Sequence, residues 1–215
     1  MPVGRTFLSD ILSPQFVGRE TAAHTRLRYP ECEVNMAATA ISRPAAEEFA
    51  PYYGRYISLV PDSEILGLLK PQADETLKVL KSRPESDGNF RYAPDKWTVK
   101  EILGHLTDSE RAFAYRALRI ARNDKTPIEG FEQDDWVRDG DFERRSLADL
   151  IDEFRTVRAA TLSLFHNLSK EAWTRTGTAN NNKVSVRALA YIIAGHELHH
   201  RRILQEKYFS QKPAA

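Results

Sequence analysis

The chain has 215 residues, 41% of them hydrophobic, with 31 Lys and Arg against 30 Asp and Glu. That length makes one domain the default, and no run of eighteen apolar residues offers a transmembrane helix. A net charge of +1 supports neither a nucleic-acid nor an anionic-membrane surface. One cysteine, Cys32, excludes an intramolecular disulfide framework and suits a reducing, cytoplasmic setting.

Residues 1–35 show no sustained period of 3.6 or of 2, and the apolar stretch Phe7–Leu12 is too short and interrupted for a signal-peptide core. Met36-Ala-Ala-Thr-Ala follows, and the expectation is that Met36 is the natural start. Peptides from 1–35 at full abundance in native protein would overturn that. Residues 36–61, rich in Ala, Pro and Tyr, read as an irregular arm in which Tyr52-Tyr-Gly-Arg-Tyr56 packs on the body or on a partner. The chain thus divides into an irregular or disordered extension over 1–61 and a helical domain over 62–210.

A helical period begins at Asp62, with Leu66, Leu69, Ala73, Leu77 and Leu80 on one face. Pro71 predicts a kink or break near Leu69. Thr98 with Glu101 is a capping box, and Ile102, His105, Leu106, Ser109, Phe113, Ala117 and Ile120 form the inner face of a second helix ending near Asn123-Asp124. The connection from Lys125 to Arg145 carries the acidic, aromatic run Phe131-Glu-Gln-Asp-Asp-Trp136. It reads as a lid or rim, or as a packed surface loop, with room for one short helix.

Ser146 caps a third helix with inner residues Leu147, Leu150, Ile151, Phe154, Val157, Thr161, Leu164, Phe165 and Leu168. Ser169 to Lys183 reads as a polar loop, and no strand of convincing alternation appears. Ser185 caps a fourth helix running to about Tyr208, with Val186, Leu189, Ile193, His196, His200 and Ile203 inward. The fold class is all-α, and four amphipathic helices close naturally as a four-helix bundle.

The histidines carry the functional signal. His196 and His200 stand four apart on the inner face of one helix, and His105 faces inward from another. Residues at that spacing lie on one face, with Cβ atoms about 5–6 Å apart. Two such imidazoles can grip one ion, and a third from another helix gives a His₃ site with open positions. Each buried imidazole also brings two nitrogens that need partners. His199 falls toward the edge of the stripe, His166 has no partner at ligand spacing, and His24 lies in the unpatterned tail. His196-Glu-Leu-His-His200 also satisfies the H-E-x-x-H pattern of zinc peptidases, with Glu197 as general base. Only 15 residues follow His200 and none is a histidine, and Glu206 shares the same helix, so His105 is the better third ligand.

The segment from Trp97-Thr through Glu101 and His105 to Asp108-Ser-Glu110-Arg111 resembles the W-[ST]-x-x-E-x-x-x-H opening of the DinB/YfiT-like superfamily. Ala194-Gly-His196-Glu-Leu-His-His200 resembles its later H-x-x-x-H stretch, and the likeness covers roughly residues 62–208. The resemblance implies an up-down-down-up bundle, a divalent metal on His105, His196 and His200, and a homodimer. Characterised members include metal-dependent thiol S-transferases and a thiol-dependent isomerase; others are described as hydrolases.

The expected function is therefore a metal-dependent transferase acting on a small molecule with a low-molecular-weight thiol as cosubstrate. The alternatives are a hydrolase and a non-catalytic metal-binding stress-response module. Zn, Ni, Fe and Mn all suit imidazole ligands. Glu197 and Asp108 are the candidate catalytic carboxylates. Glu101 and Asp108 are also candidates to hold the second nitrogen of His105, and Glu101 has capping as its plainer role. Among Arg111, Arg116, Arg119 and Arg122, one could take a substrate carboxylate, while salt bridges or solvent claim most.

Overall fold

The computed structural model describes residues 41–210. The expectations for residues 1–35, including Cys32, His24 and a start at Met36, lie outside the described residues, as does Pro213. A short helix α1 (Gly54–Ile57) leads to α2 (Ile65–Lys81) and α3 (Val99–Ala121). Then come α4 (Gln133–Asp139), α5 (Leu147–His166), a hairpin of β1 (Thr176–Ala179) and β2 (Asn182–Ser185), and α6 (Val186–Ile203).

The long helices begin where side chains can satisfy their free N–H groups. The Glu64 carboxylate accepts from the Leu66 and Gly67 N–H groups, and Ser146 and Ser185 cap α5 and α6. Thr98 and Glu101 form the expected reciprocal box on α3. α2 runs unbroken through Pro71, so the expected break near Leu69 does not occur. Pro71 leaves the Gly67 carbonyl without its helical N–H partner, and Gly67 is exposed, so that carbonyl faces water.

Side-chain contacts fix the helix order. Arg158 on α5 donates to the Leu69 carbonyl, while Leu80 shares a groove with Leu147 and Ile151, so α2 and α5 are antiparallel. Phe142, just before α5, packs on Gly104, and Arg158 meets Glu110, so α3 and α5 run parallel. Trp97 at the start of α3 meets His200, whereas Ile120 at its end meets Gly177 ahead of α6. α6 is therefore antiparallel to α3, and the bundle is up-down-down-up. Two apolar clusters fill it, one around Phe113, Phe165 and Ile192, the other around Leu103, Phe154 and Leu204. A belt of polar side chains separates them: Gln72, Thr76, His105, Glu110, Arg158, His196 and Glu197, all buried.

Three stretches differ from their expected form. Residues 41–61, expected to be irregular, form short helical turns and bury Tyr56, Ile57 and Val60 to 5% exposure or less. Ser169 to Lys183, expected to be a polar loop, contains the antiparallel hairpin, with Ala179 opposite Asn182. Asn180 and Asn181 at its tip have φ of 47° and 59°, the left-handed pair that a two-residue turn demands and that asparagine tolerates. The fourth helix ends its α-form at Ile203 and widens to a π-turn over Leu204–Phe209, which holds the Tyr208 hydroxyl 2.6 Å from the Trp97 carbonyl. No helix among the described residues is long and apolar enough to cross a membrane.

The segment before α1 is clamped to α6 by Glu48 and Arg187, whose Nε donates to Glu48 Oε2 at 2.8 Å. Hydrogen bonding to Arg187 lowers the Glu48 pKa to about 2 from an ordinary 4.5. A carboxylate with a depressed folded pKa stabilises above its unfolded value and loses that contribution as pH falls. The clamp's stabilisation is therefore full above pH 4.5 and gone near 2. Arg187→Ala is expected to flatten this part of the stability–pH curve, as read by thermal melts between about pH 2 and 5. An unchanged slope would mean that the pair contributes nothing.

Candidate metal centre

His105 is brought to the middle of α3 by the face that buries Ile102, Leu106 and Phe113, and α6 presents His196 and His200 opposite it. His105 Nε2 lies 3.0 Å from His196 Nε2, and His200 Nε2 lies 3.1 Å from that same atom. One ligand atom from each lies within 4.8 Å of the others, and the three residues are 5%, 6% and 8% exposed. A neutral ring nitrogen carries one hydrogen or one lone pair. His196 Nε2 thus satisfies one neighbour well, not both. Three nitrogens around a tetrahedral ion at about 2.0–2.1 Å stand roughly 3.3 Å apart, close to the spacing seen. The donor set fits a divalent ion.

Burial pushes the His105 pKa down from 6.5 to about 4, and holds His196 and His200 well below 6.5, each aided by neighbouring histidines. All three rings are therefore neutral at pH 7, the state that ligates metal. Ser109 Oγ stands 3.4 Å from His105 Nδ1, one helical turn on. Glu101 is committed to the cap and Asp108 to Arg111, so neither expected carboxylate holds that nitrogen. His200 Nδ1 is buried and has no hydrogen-bond partner among the described residues. Rings wall the cluster: Trp97 lies 4.8 Å from His105, and Tyr56 and Phe113 present edges to His196 at 5.2 and 6.1 Å.

Two cavities reach the cluster. One, of about 380 Å³, is lined by His105, His196, Ser109, Phe113, Tyr53 and Arg116. The other, of about 220 Å³, is lined by His200, Trp97, Tyr92 and Tyr208. Asp134 of α4 lines both, so the acidic connection does rim the site. Sequence reasoning flagged that connection but did not single out Asp134, nor Ser109 as the partner of His105.

Glu197 points away from the histidines. It accepts from Gln72 and Thr76, each at 2.5 Å, and pairs with Arg158 at 2.8 Å. Asp108 lines neither cavity; burial raises its pKa, with Arg111 opposing. His199 stands beside Tyr56 at 5.3 Å, outside the cluster. His166 is exposed and bonded to the Leu162 carbonyl, and Glu206 pairs with Arg202.

A Cβ on Gly195 would fall 2.1 Å from the Tyr56 carbonyl oxygen, so glycine is what lets α1 lie directly on α6. Gly195→Ala is expected to destabilise by about 1–3 kcal/mol from overpacking, against about 1 kcal/mol of helix propensity gained. Urea unfolding measures the balance, and a stabilised variant would show that α1 does not press on α6 there.

The sequence model of the DinB superfamily matches residues 68–204. The chain belongs to the DinB superfamily. Among solved structures it is similar to YfiT from Bacillus subtilis, with a TM-score of 0.58 at 14% identity over 77% of this chain and 90% of that one. YfiT is described as a probable metal-dependent hydrolase with an unusual four-helix bundle topology. A mycothiol-dependent maleylpyruvate isomerase gives a TM-score of 0.57 at 13% identity, covering 68% of this chain and 61% of the other. At these identities the likeness is one of fold. A search of curated protein sequences found no match. This DinB-superfamily chain thus places three neutral histidines between two cavities of one bundle.

Proposed function

We propose that this protein is a divalent-metal-dependent transferase that uses a small thiol, with His105, His196 and His200 as the metal ligands. The observation that carries this is the convergence of three neutral Nε2 atoms where two cavities meet. A divalent ion held there would lower the pKa of a bound thiol or water toward neutrality. Two cavities suit two substrates, thiol and electrophile. Among the described residues no cysteine lines either one, which suits a nucleophile supplied by the cosubstrate. Trp97, Tyr56 and Phe113 wall the rings, Ser109 would orient His105, and Asp134, which lines both cavities, would take the thiol proton. Glu197 belongs to the scaffold in this reading.

Metal-dependent hydrolysis is the second reading, favoured by the description of YfiT. A reducing, cytoplasmic setting suits a free thiol, and a homodimer would cover exposed Tyr115, Leu118 and Trp136. The test supplies metal-loaded protein with glutathione, bacillithiol or mycothiol and monochlorobimane. Adduct formation faster than without protein, and lost on chelation, is expected. No acceleration with any thiol counts against a transferase. Ester or amide hydrolysis lost in His105→Ala would favour the second reading, and metal uptake with neither activity a non-catalytic module.

A further inference from the structure

Among the described residues two arginines are buried as whole residues, Arg158 at 2% exposure and Arg116 at 4%; the buried Arg83 side chain is paired with Asp87. Arg158 holds two carboxylates, Glu110 and Glu197, each at 2.8 Å. Arg116 forms no ion pair with any described residue; Nη2 donates to the Glu129 carbonyl at 2.9 Å. Its guanidinium lies 5.8 Å from the ring centre of Phe113 and 5.4 Å from that of Phe131. Its charge reaches Tyr53, whose hydroxyl pKa is raised by burial and pulled back by Arg116. The fork is therefore held by aromatic faces, one carbonyl and the Tyr53 hydroxyl, all neutral partners, in the cavity that ends at His105 and His196.

A buried cation without an anion is costly, and proteins pair such charges or use them. Glu132 and Asp134 share the cavity, but they stand exposed on its rim, where water screens them. We infer that Arg116 is the anchor for a carboxylate on the ligand, so that the larger cavity takes an acidic molecule reaching from Arg116 to the histidine cluster. One planar fork with a single charge matches a carboxylate, which it can hold through two parallel hydrogen bonds. A phosphate dianion would call for more donors.

The reach follows from α3. Arg116 is eleven residues beyond His105, roughly 16 Å along the axis at about 1.5 Å per residue. Helical side chains lean toward the N-terminus, which brings the guanidinium back to roughly 10 Å from the cluster. A chain of six to eight atoms between a metal-binding group and a carboxylate spans that.

This rests on the histidines holding a metal ion, and the experiment separates the two ideas. Calorimetry on metal-loaded protein compares suberic acid monohydroxamate with its methyl ester, and glutathione with its diester, for wild type, Arg116→Lys and Arg116→Gln. Metal content and melting temperature are measured on each. The expected result is a preference of roughly ten- to a hundredfold for each acid over its ester in wild type, reduced in Arg116→Lys and lost in Arg116→Gln. Equal affinity of acid and ester in wild type, no binding of either acid, or a preference retained in Arg116→Gln overturns the inference. An acid preference with the hydroxamate alone keeps the anchor and removes the thiol. Absence of metal from wild type removes the metal reading and this inference with it.

Discussion

His196→Ala is expected to strip the protein of nearly all its divalent metal. His196 Nε2 faces the other two ring nitrogens at 3.0 and 3.1 Å, so its loss leaves two imidazoles on different helices. Losing an outer-shell partner typically costs about 10–100-fold in metal affinity, and losing a ligand at the centre of the set should exceed that. His105→Ala and His200→Ala should follow, whereas His166→Ala, an exposed residue on α5, should bind like wild type. Elemental analysis of purified variants decides it. Full occupancy in His196→Ala would sink the three-histidine site, and full occupancy in His200→Ala alone would point to His199.

The second large effect concerns the scaffold. Arg158→Ala is expected to lower stability by about 3–5 kcal/mol, the usual cost of stranding a buried charge. Arg158 links three helices: it donates through Nε and Nη2 to Glu110 on α3, through Nη1 to the Leu69 carbonyl of α2, and pairs with Glu197 on α6. Removing it leaves two carboxylates buried at 3% and 1% exposure with no cation. Urea unfolding at pH 7 measures the loss, and a change under about 1 kcal/mol would mean that the network relaxes into water. Arg158→Met with Glu110→Leu should recover part of it, because apolar groups of similar volume replace buried ion pairs with little cost.

The bundle was legible because its signals are local. Thr98, Ser146 and Ser185 cap helices as the sequence indicates, and the apolar stripes locate the buried faces. The inner-face spacing also brings His105, His196 and His200 together, leaving His199 aside. What was not legible depends on partners distant in sequence. Arg158 follows the inner residue Val157 and carries no local signal of burial, since its partners Glu110 and Glu197 arrive from other helices, 48 residues away in one case. Residues 41–61 lack a period because they follow α6 through single contacts, such as the Tyr191 hydroxyl on the Ile41 carbonyl and Arg187 on Glu48. A signal was present in α6 itself: Ala188 to Gly195 is apolar on every side, as expected of a helix covered all round. The Asn180-Asn181 tip likewise carried turn chemistry that the weak alternation of its flanks concealed.

Each half of the candidate centre has a glycine just before its leading histidine. A Cβ on Gly104 would meet the Phe142 ring at 2.3 Å, as one on Gly195 meets Tyr56. For anyone transplanting this centre into a designed bundle, three histidines at the right heights would not be the whole motif. The graft has to carry two Gly-His pairs and the two segments that lean on them, because each segment packs against its helix one residue before a histidine, and one of them sets Tyr56 against the His196 ring. A scaffold with alanine at either position would hold the same donor atoms but push off the segment packed beside them.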